Sequence, residues 1–329
     1  MPEAPLLNVV DLIKRFPLGG GILSKPRAWV KAVEGVSFSV SRGESFGLVG
    51  ESGCGKTTLG RLILRLIEPT GGRVEFDGRD IVSLNRTEMS ALRQRMQIIF
   101  QDPYSSLDPR MKVVDIVTEP LRAARKLSPH KRKDVAAEML QKVGLRRADL
   151  DKYPHEFSGG QRQRIGIARS LCVRPELIVA DEPVSALDVS IQAQVINLME
   201  DLKAEFNLSY VFISHDLSVV EYVCDRIAVM YLGGIVELAS TRNFSDSPRH
   251  PYTEALLKSV PLPDPNRRTE PFAMEGDVPN PIDPPTGCPF HPRCLYKFDR
   301  CPREKPPLIQ AAPAHFVACW LHGGQGLRD

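Results

Sequence analysis

The stretch GLVGESGCGKTTLGRLIL, residues 47–64, constrains the fold more than any other part of the chain. Gly50, Gly55, Lys56 and Thr57 satisfy the pattern G-x-x-x-x-G-K-[ST], between an apolar run and an apparent helix. Glycines let a loop turn its backbone N–H groups toward phosphate oxygens, and the N-terminus of the next helix adds partial positive charge. The pattern predicts a strand, a phosphate-binding loop and a helix that together hold a nucleoside triphosphate.

The residue types in this loop predict separate tasks. The Lys56 ammonium can reach the β- and γ-phosphates, and the Thr57 hydroxyl can hold Mg²⁺. The alternative is a glycine-rich turn that only caps a helix, but the strand–loop–helix context favours the phosphate site. We predict nucleotide contacts from the loop residues Gly50, Ser52, Gly53, Cys54, Gly55, Lys56, Thr57 and Thr58.

A second motif, the acidic stretch LIVADEP (177–183), could bind the metal ion and the attacking water of such a site. An apolar strand ends in Asp181, which is placed to bind Mg²⁺ through water. Glu182 follows and is suited to orient or deprotonate the attacking water. An acidic pair on the surface after a strand is the alternative reading of these two residues.

Apolar runs alternate with amphipathic stretches as far as about residue 240, which predicts an α/β fold with a mostly parallel sheet flanked by helices. Alternation and turn residues at 30–40 and 72–78 predict a small antiparallel part. Helices are predicted over 113–145 and 161–173. Strands are predicted at 45–50, 96–100, 177–181, 210–214 and 226–232.

Bulk properties exclude several classes. The net charge of +3 is too near neutral to favour nucleic acid as a partner, and we expect none. Apolar runs such as LIVA are far shorter than the roughly 20 residues of a membrane span. The N-terminus lacks a signal peptide's basic start, so we expect the chain in the cytoplasm, where thiols stay reduced.

The motif FSGGQRQRIGIARSL adds a second glycine-rich turn that opens a second helix. Ser158, Gly159, Gly160 and Gln161 form this turn, about a hundred residues after the first. One nucleotide does not need two such loops from one chain. Two chains facing head to tail could each supply one.

With this turn in place, the sequence resembles the ATP-binding-cassette (ABC) ATPases, and their elements occur in order. Gln101 in IIFQDP matches the Q-loop, FSGGQ the signature, Asp181 and Glu182 the Walker B end, SALD (185–188) the D-loop, and His215 in ISHD the switch histidine. Phe16 is the candidate for the aromatic that stacks on adenine, and Trp29 is the alternative. Taken singly, Gln101 could be a polar strand end and His215 a structural histidine.

The resemblance implies a mechanism. Two cassettes would enclose two Mg·ATP, each held by one chain's phosphate loop and by the signature residues Ser158, Gly159, Gly160 and Gln161 of the other. Gln101 would contact Mg²⁺ and the γ-phosphate, and His215 would steady the γ-phosphate and the water. Glu182, His215 and Gln101 would then be the catalytic residues, with Thr57, Gln101 and Asp181 at the Mg²⁺.

The composition changes after about residue 260, where the last 70 residues contain 14 of the 28 prolines and four of the seven cysteines. The cysteines Cys288, Cys294, Cys301 and Cys319 follow C-x5-C-x6-C-x17-C, without the C-x2-C pair of a zinc finger. Four thiolates on proline-rich loops suit a tetrahedral site for Zn²⁺ or an iron–sulfur cluster. Small buried cysteines are the structural alternative.

The C-terminal region indicates a particular subfamily of the ABC ATPases. RHPYTEALLKSVP (249–261) followed by GCPFHPRC (287–294) resembles the C-terminal extension of oligopeptide and dipeptide permease ATPases. GESGCGKTT (50–58) and FQDPYSSLDPRM (100–111) resemble the F-type member of the D/F pair of these ATPases. That resemblance implies a [4Fe–4S] cluster on the four cysteines, with Zn²⁺ as the alternative. It also implies a nucleotide-binding domain over 1–245, with a helical subdomain at about 102–173, and an extension over 246–329.

We therefore expect an ATPase subunit of a bacterial di- or oligopeptide importer at the cytoplasmic face of the inner membrane. Its partners would be a homologous D-type cassette, two membrane permease subunits and, indirectly, a solute-binding protein. Import of nickel or glutathione is the alternative within this family. A soluble ABC ATPase of translation or DNA repair is the alternative outside it, and a redox-sensing role for the tail is compatible with transport.

Overall fold

The computed structural model describes residues 4–19, 26–102, 104–124, 128–259 and 276–322. Within these ranges the strands are β1 (Leu7–Leu18), β2 (Ala28–Val40), β3 (Ser45–Val49), β4 (Gly71–Phe76), β5 (Arg79–Asp80), β6 (Met96–Ile99), β7 (Leu177–Asp181), β8 (Ser209–Ile213), β9 (Arg226–Tyr231), β10 (Gly234–Ser240), β11 (Ile309–Ala312) and β12 (His315–Val317). The helices are α1 (Lys56–Ile63), α2 (Arg86–Leu92), α3 (Val113–Val117), α4 (Glu119–Ala124), α5 (Pro129–Lys142), α6 (Gly159–Leu171), α7 (Val189–Phe206), α8 (Leu217–Val223), α9 (Thr241–Asp246) and α10 (Pro251–Lys258).

The central sheet has the order β11-β12-β10-β9-β3-β8-β7-β6. Strands β9, β3, β8, β7 and β6 run parallel, whereas β10, β12 and β11 extend one side in antiparallel pairing. Every residue of β3, β7 and β8 is buried, which explains their continuous apolar runs. The predicted α/β class is confirmed.

The parallel strands end at one edge of the sheet, and the sequence motifs follow those ends. The phosphate loop follows β3, Gln101 follows β6, Glu182 follows β7 and His215 follows β8. Ligands of open α/β sheets bind outside the carboxyl ends of the strands. The topology therefore gathers four distant motifs at one place.

A second, antiparallel sheet has the order β2-β1-β4-β5. Its buried side chains, such as Leu12, Val36 and Phe76, share one apolar cluster with Leu59 and Ile63 of α1. This packing places β1, and with it Phe16, beside the helix that follows the phosphate loop.

The helical part is more broken than the sequence indicated. The predicted helix over 113–145 is three helices, α3, α4 and α5, with 125–127 outside the described residues. Pro129 begins α5 behind the N-cap Ser128, and a proline cannot continue a preceding helix. The second predicted helix is α6, which begins two residues earlier than expected.

The proline-rich tail is joined to the central sheet. Glu237 and Leu238 of β10 pair with Val317 and Phe316 of β12, and β12 pairs in turn with β11. Both strands are short; β11 is the edge strand of the sheet and β12 lies next to it, near the edge where prolines are tolerated. In the described part of the chain, no helix is long and apolar enough to cross a membrane.

Candidate nucleotide site

The phosphate loop has a backbone that only glycine permits at two positions. Gly50 has φ 148° and Gly55 has φ 108°. A Cβ atom would lie 2.2 Å from the Met230 carbonyl oxygen at Gly50, and 2.1 Å from the Ala32 carbonyl oxygen at Gly55. The backbone of Met230 therefore packs against the first glycine of the loop and that of Ala32 against the last, which fixes the curvature of the loop before α1 begins.

The Lys56 side chain lies inside the curve of this loop. It is 5% exposed, and its Nζ donates hydrogen bonds to the carbonyl oxygens of Gly50 (2.7 Å) and Glu51 (3.0 Å). A buried ammonium held by neutral acceptors leaves its charge uncompensated, which favours an anionic ligand. Phosphate oxygens are ligands of that kind.

The next residue begins the metal end of the site. The Thr57 hydroxyl donates to Asp181 Oδ1 at 3.0 Å. Burial raises the pKa of Asp181, the negative charge of Glu182 adds to the rise, and the Thr57 hydrogen bond opposes it. A buried carboxylate and a hydroxyl are oxygen donors of the kind that Mg²⁺ prefers, and a cation here would offset the cost of burying Asp181. These residues fit Mg²⁺.

Glu182 is the centre of a polar cluster at the hydrolysis end. Gln101 Nε2 donates to Glu182 Oε2 at 2.7 Å, and His215 Nδ1 lies 3.2 Å from Glu182 Oε1. Glu182 has φ 47°, a left-handed backbone that few non-glycine residues adopt and that recurs at functional sites. Three predicted catalytic residues from β6, β7 and β8 are thus in contact.

A cavity of about 360 Å³ connects the loop with this cluster. It is lined by Ser52, Gly53, Gly55, Lys56, Thr57, Thr58, Gln101 and Glu182, and at an apolar end by Phe16, Val30, Ala32 and Pro281. Phe16 lines the cavity and Trp29 does not. The Cys54 side chain is buried behind the loop, and burial raises the pKa of its thiol.

The signature residues lie elsewhere. Ser158 caps α6 by a reciprocal pair of hydrogen bonds with Gln161, and neither lines the cavity. A Cβ on Gly160 would lie 2.5 Å from Ile191 Cγ2 of α7, so glycine is needed for this helix contact. Ser158 and Gln161 therefore present a capped helix N-terminus that is separate from the chain's own nucleotide cavity.

The four tail cysteines line one small cavity of about 10 Å³. Burial, together with the negative charge of neighbouring cysteines, raises the pKa of Cys288 to about 11 and that of Cys319 to about 12. The sulfur donors suit a thiolate-bound metal. However, no three His, Cys, Asp or Glu side chains within the described ranges are grouped closely enough to hold a metal ion.

Sequence reasoning missed three tail residues at this site. Pro281 lines the nucleotide cavity and its carbonyl accepts a hydrogen bond from the Lys31 N–H, while Tyr252 and Arg293 contact Glu51 in the phosphate loop. The proline content correctly indicated irregular structure for the tail. It carried no signal for where that structure packs.

The phosphate loop lies at one edge of the sheet with the carboxylates of Asp181 and Glu182. This is the arrangement of a phosphate-loop ATPase. The sequence model of the ABC transporter family matches residues 33–185, and that of the oligopeptide/dipeptide transporter C-terminal region matches 236–301. The chain belongs to the ABC transporter family of ATP-binding proteins.

Two similar proteins align with this chain over nearly its whole length. The oligopeptide transport ATP-binding protein AppF of Bacillus subtilis is 50% identical over 97% of this chain and 98% of its own length. The dipeptide transport ATP-binding protein DppF of Haemophilus influenzae is 50% identical over 97% of both chains. Among solved structures, the dimeric bacterial ABC transporter cassette MJ0796 has a TM-score of 0.64 and 27% identity, over 72% of this chain and 99% of that one.

Proposed function

We propose that this chain is the ATP-hydrolysing subunit of a bacterial ABC importer for dipeptides or oligopeptides. One observation carries the choice of cargo: residues 236–301, and not only the cassette, match the model of the oligopeptide/dipeptide transporter C-terminal region. Relatives named for peptide transport support it, because their identity extends over nearly the full chain. Nickel and glutathione import are the alternatives to be tested.

The site supports the following division of work. The loop N–H groups and Lys56 bind the phosphates, Thr57 and Asp181 hold Mg²⁺, and Phe16 stacks on the base. When bound, Mg²⁺ neutralises phosphate charge and orients the phosphates. Glu182 Oε2 or Oε1 accepts the proton of the attacking water, and Gln101 and His215 hold the carboxylate in place until the γ-phosphate is bound.

Because the signature lies away from this cavity, each site needs a second cassette, and we propose the homologous D-type cassette. The Glu182→Gln variant, given Mg·ATP and its companion, should elute as a closed pair in size-exclusion chromatography with light scattering. The same variant that also carries Ser158→Arg should stay monomeric. Failure of the first variant to pair would contradict the shared site.

We further propose that the pair docks on two permease subunits at the cytoplasmic face of the inner membrane, served by a solute-binding protein. Cells that carry Glu182→Gln at the chromosomal locus should lose uptake of radiolabelled di- and tripeptides. Uptake of nickel and of glutathione should be unchanged. Loss of either one, with normal peptide uptake, would replace the proposed cargo.

For the four cysteines we propose a [4Fe–4S] cluster, with Zn²⁺ as the competing occupant. One small cavity lined by all four cysteines supports a common ligand, although the side chains must first move closer together. Anaerobically purified protein should show an absorption band near 400 nm that Cys301→Ser removes. Stoichiometric zinc without that band would favour Zn²⁺. Absence of both the band and zinc would mean that the cysteines are packing residues.

A further inference from the structure

A buried ion pair joins the tail to the phosphate loop. Arg293 Nη1 and Nη2 donate to the two carboxylate oxygens of Glu51, at 2.8 and 3.1 Å. The Arg293 side chain is 7% exposed and that of Glu51 is 22% exposed. Two parallel hydrogen bonds with little solvent form the strong, geometrically specific kind of arginine–carboxylate contact.

Every polar group of Glu51 makes a hydrogen bond. Its N–H donates to the Tyr252 hydroxyl at 2.9 Å, its carbonyl accepts from Lys56 Nζ at 3.0 Å, and its carboxylate accepts from Arg293. The contact with Lys56 is internal to the loop. The contacts with Tyr252 and Arg293 come from residues 201 and 242 positions further along the chain, in the region matched by the oligopeptide-transporter model.

The direction of the Glu51 side chain matters because it carries negative charge inside a loop that binds phosphates. Glu51 does not line the nucleotide cavity, although its neighbours Ser52 and Gly53 do. Instead, it lines a separate cavity of about 510 Å³ beside His215. An unpaired carboxylate in this loop would repel the phosphate charge that Lys56 attracts.

The tail fixes the position of Arg293 by packing as well as by charge. Arg293 ends a short 3-10 helix, His291–Arg293, whose neighbour Phe290 lies 5.4 Å from both the Tyr231 and the Tyr252 rings, centroid to centroid. Tyr252 is fully buried. Tyr252 therefore belongs to a packed aromatic cluster, and Arg293 follows Phe290, another member of that cluster, by three residues.

We propose that Arg293 is a positioning residue for the phosphate loop: it neutralises Glu51 and holds that carboxylate outside the nucleotide cavity, so that nucleotide affinity depends on the tail. The inference rests on the proposed nucleotide site. It extends that site to a residue more than two hundred positions away in sequence.

The test uses the purified full-length chain and a fluorescence titration with Mg·ADP carrying a methylanthraniloyl label. Arg293→Gln should weaken binding by about fivefold or more. Arg242→Gln removes an arginine from an exposed pair with Asp246 and should bind as the wild type does. Equal affinity for Arg293→Gln and the wild type would overturn the proposal.

A second arm separates charge neutralisation from simple packing. In a Glu51→Gln background there is no charge to neutralise, so adding Arg293→Gln should change affinity by less than about twofold. A full fivefold loss in that background would mean that Arg293 acts only through packing, and would also overturn the proposal.

A third arm covers the case in which Arg293→Gln does not fold. Glu51→Asp keeps the charge but shortens its reach to Arg293, so it should bind more weakly than Glu51→Gln. The reverse order would contradict the proposal. The proposed function fails separately if wild type binds no nucleotide and Lys56→Ala makes no difference.

Discussion

Gln101 donates its side-chain N–H to Glu182 at 2.7 Å, and this bond joins the end of β6 to the end of β7. The two residues are 81 positions apart in sequence, so the contact depends on the parallel pairing of those strands. Since His215 lies on the other oxygen of the same carboxylate, Glu182 is fixed in orientation from both sides. A fixed carboxylate near the phosphate loop is what a general base requires.

The first prediction concerns that carboxylate. Glu182→Gln should lower steady-state ATP hydrolysis by roughly 10²- to 10⁴-fold, because the amide cannot accept the proton of the water. Labelled ADP should still bind. Glu138→Gln, at an exposed pair with Arg174, is the control and should hydrolyse ATP normally. Near-normal hydrolysis by Glu182→Gln would remove this residue from the role.

The second prediction concerns Lys56. Lys56→Ala should weaken nucleotide binding by roughly 10- to 100-fold, because a charge-assisted bond to phosphate is lost from a buried position. Titration with labelled ADP measures this directly. An unchanged dissociation constant, in a variant with normal circular dichroism, would mean that the loop does not hold the phosphates through this side chain.

The third prediction concerns Mg²⁺. Asp181→Asn removes the charge that attracts the cation and weakens the orientation of Thr57, so half-maximal ATPase activity should need roughly 10- to 100-fold more Mg²⁺. A magnesium titration at saturating ATP measures the shift. If the variant loses activity at every Mg²⁺ concentration, direct measurement of Mg²⁺-dependent nucleotide binding should reveal the same displacement.

The fourth prediction concerns the base. Phe16→Ala should weaken ATP binding by about 1–3 kcal/mol, the usual worth of a stacked aromatic ring. Trp29→Ala should change it little, since Trp29 is 45% exposed and does not line the cavity. The opposite ranking of the two variants would transfer adenine stacking to Trp29.

The fifth prediction concerns how pH affects the stability of the ion pairs that connect the two sheets. Glu176, before β7, pairs with Arg95 and Arg42, and Asp77, between β4 and β5, pairs with the same two arginines. Hydrogen bonding from Arg95, and then from Arg42, lowers the pKa of Glu176 from 4.5 despite the opposing effect of burial. This stabilisation is therefore present above pH 4.5 and is lost as pH falls through the lowered pKa.

Because these groups are about one-third exposed, the effect is small. Glu176→Gln should lower the melting temperature near neutral pH by roughly 1–3 °C. The difference from wild type should shrink in acid, where both side chains are uncharged. A constant difference across the pH range, measured by scanning calorimetry, would show that the carboxylate charge is not its source.

Local patterns in the sequence predicted the α/β fold that the structure has. Glycine spacing, the apolar run before Asp181 and the order of the motifs were enough to foresee the α/β class, because each depends on neighbours in sequence. The contact between Gln101 and Glu182 was not predicted: the family resemblance assigned both residues to one site, but strand order is not a local property of the sequence. The roles assigned to the individual side chains stay predictions.

The tail shows where such reasoning stops. Its prolines indicated loops, but helix α10, the edge strand β11 and its neighbour β12 still form. Arg293 and Pro281 carried no motif that tied them to a phosphate loop, because their position is decided by tertiary packing. The boundary between residues 245 and 246 also stays a prediction, and strand β10 pairs across it with β12.

That pairing has a consequence for how the protein is made. The edge of β10 has its hydrogen-bonding partner only when residues 315–317 have left the ribosome, well after strands β3 and β6 to β10 of the same sheet have been synthesised. Until then the nascent cassette presents an open strand edge, which is a site for mistaken pairing with other chains. Release of the tail therefore closes the last exposed edge of β10, and chains that terminate early should aggregate during translation.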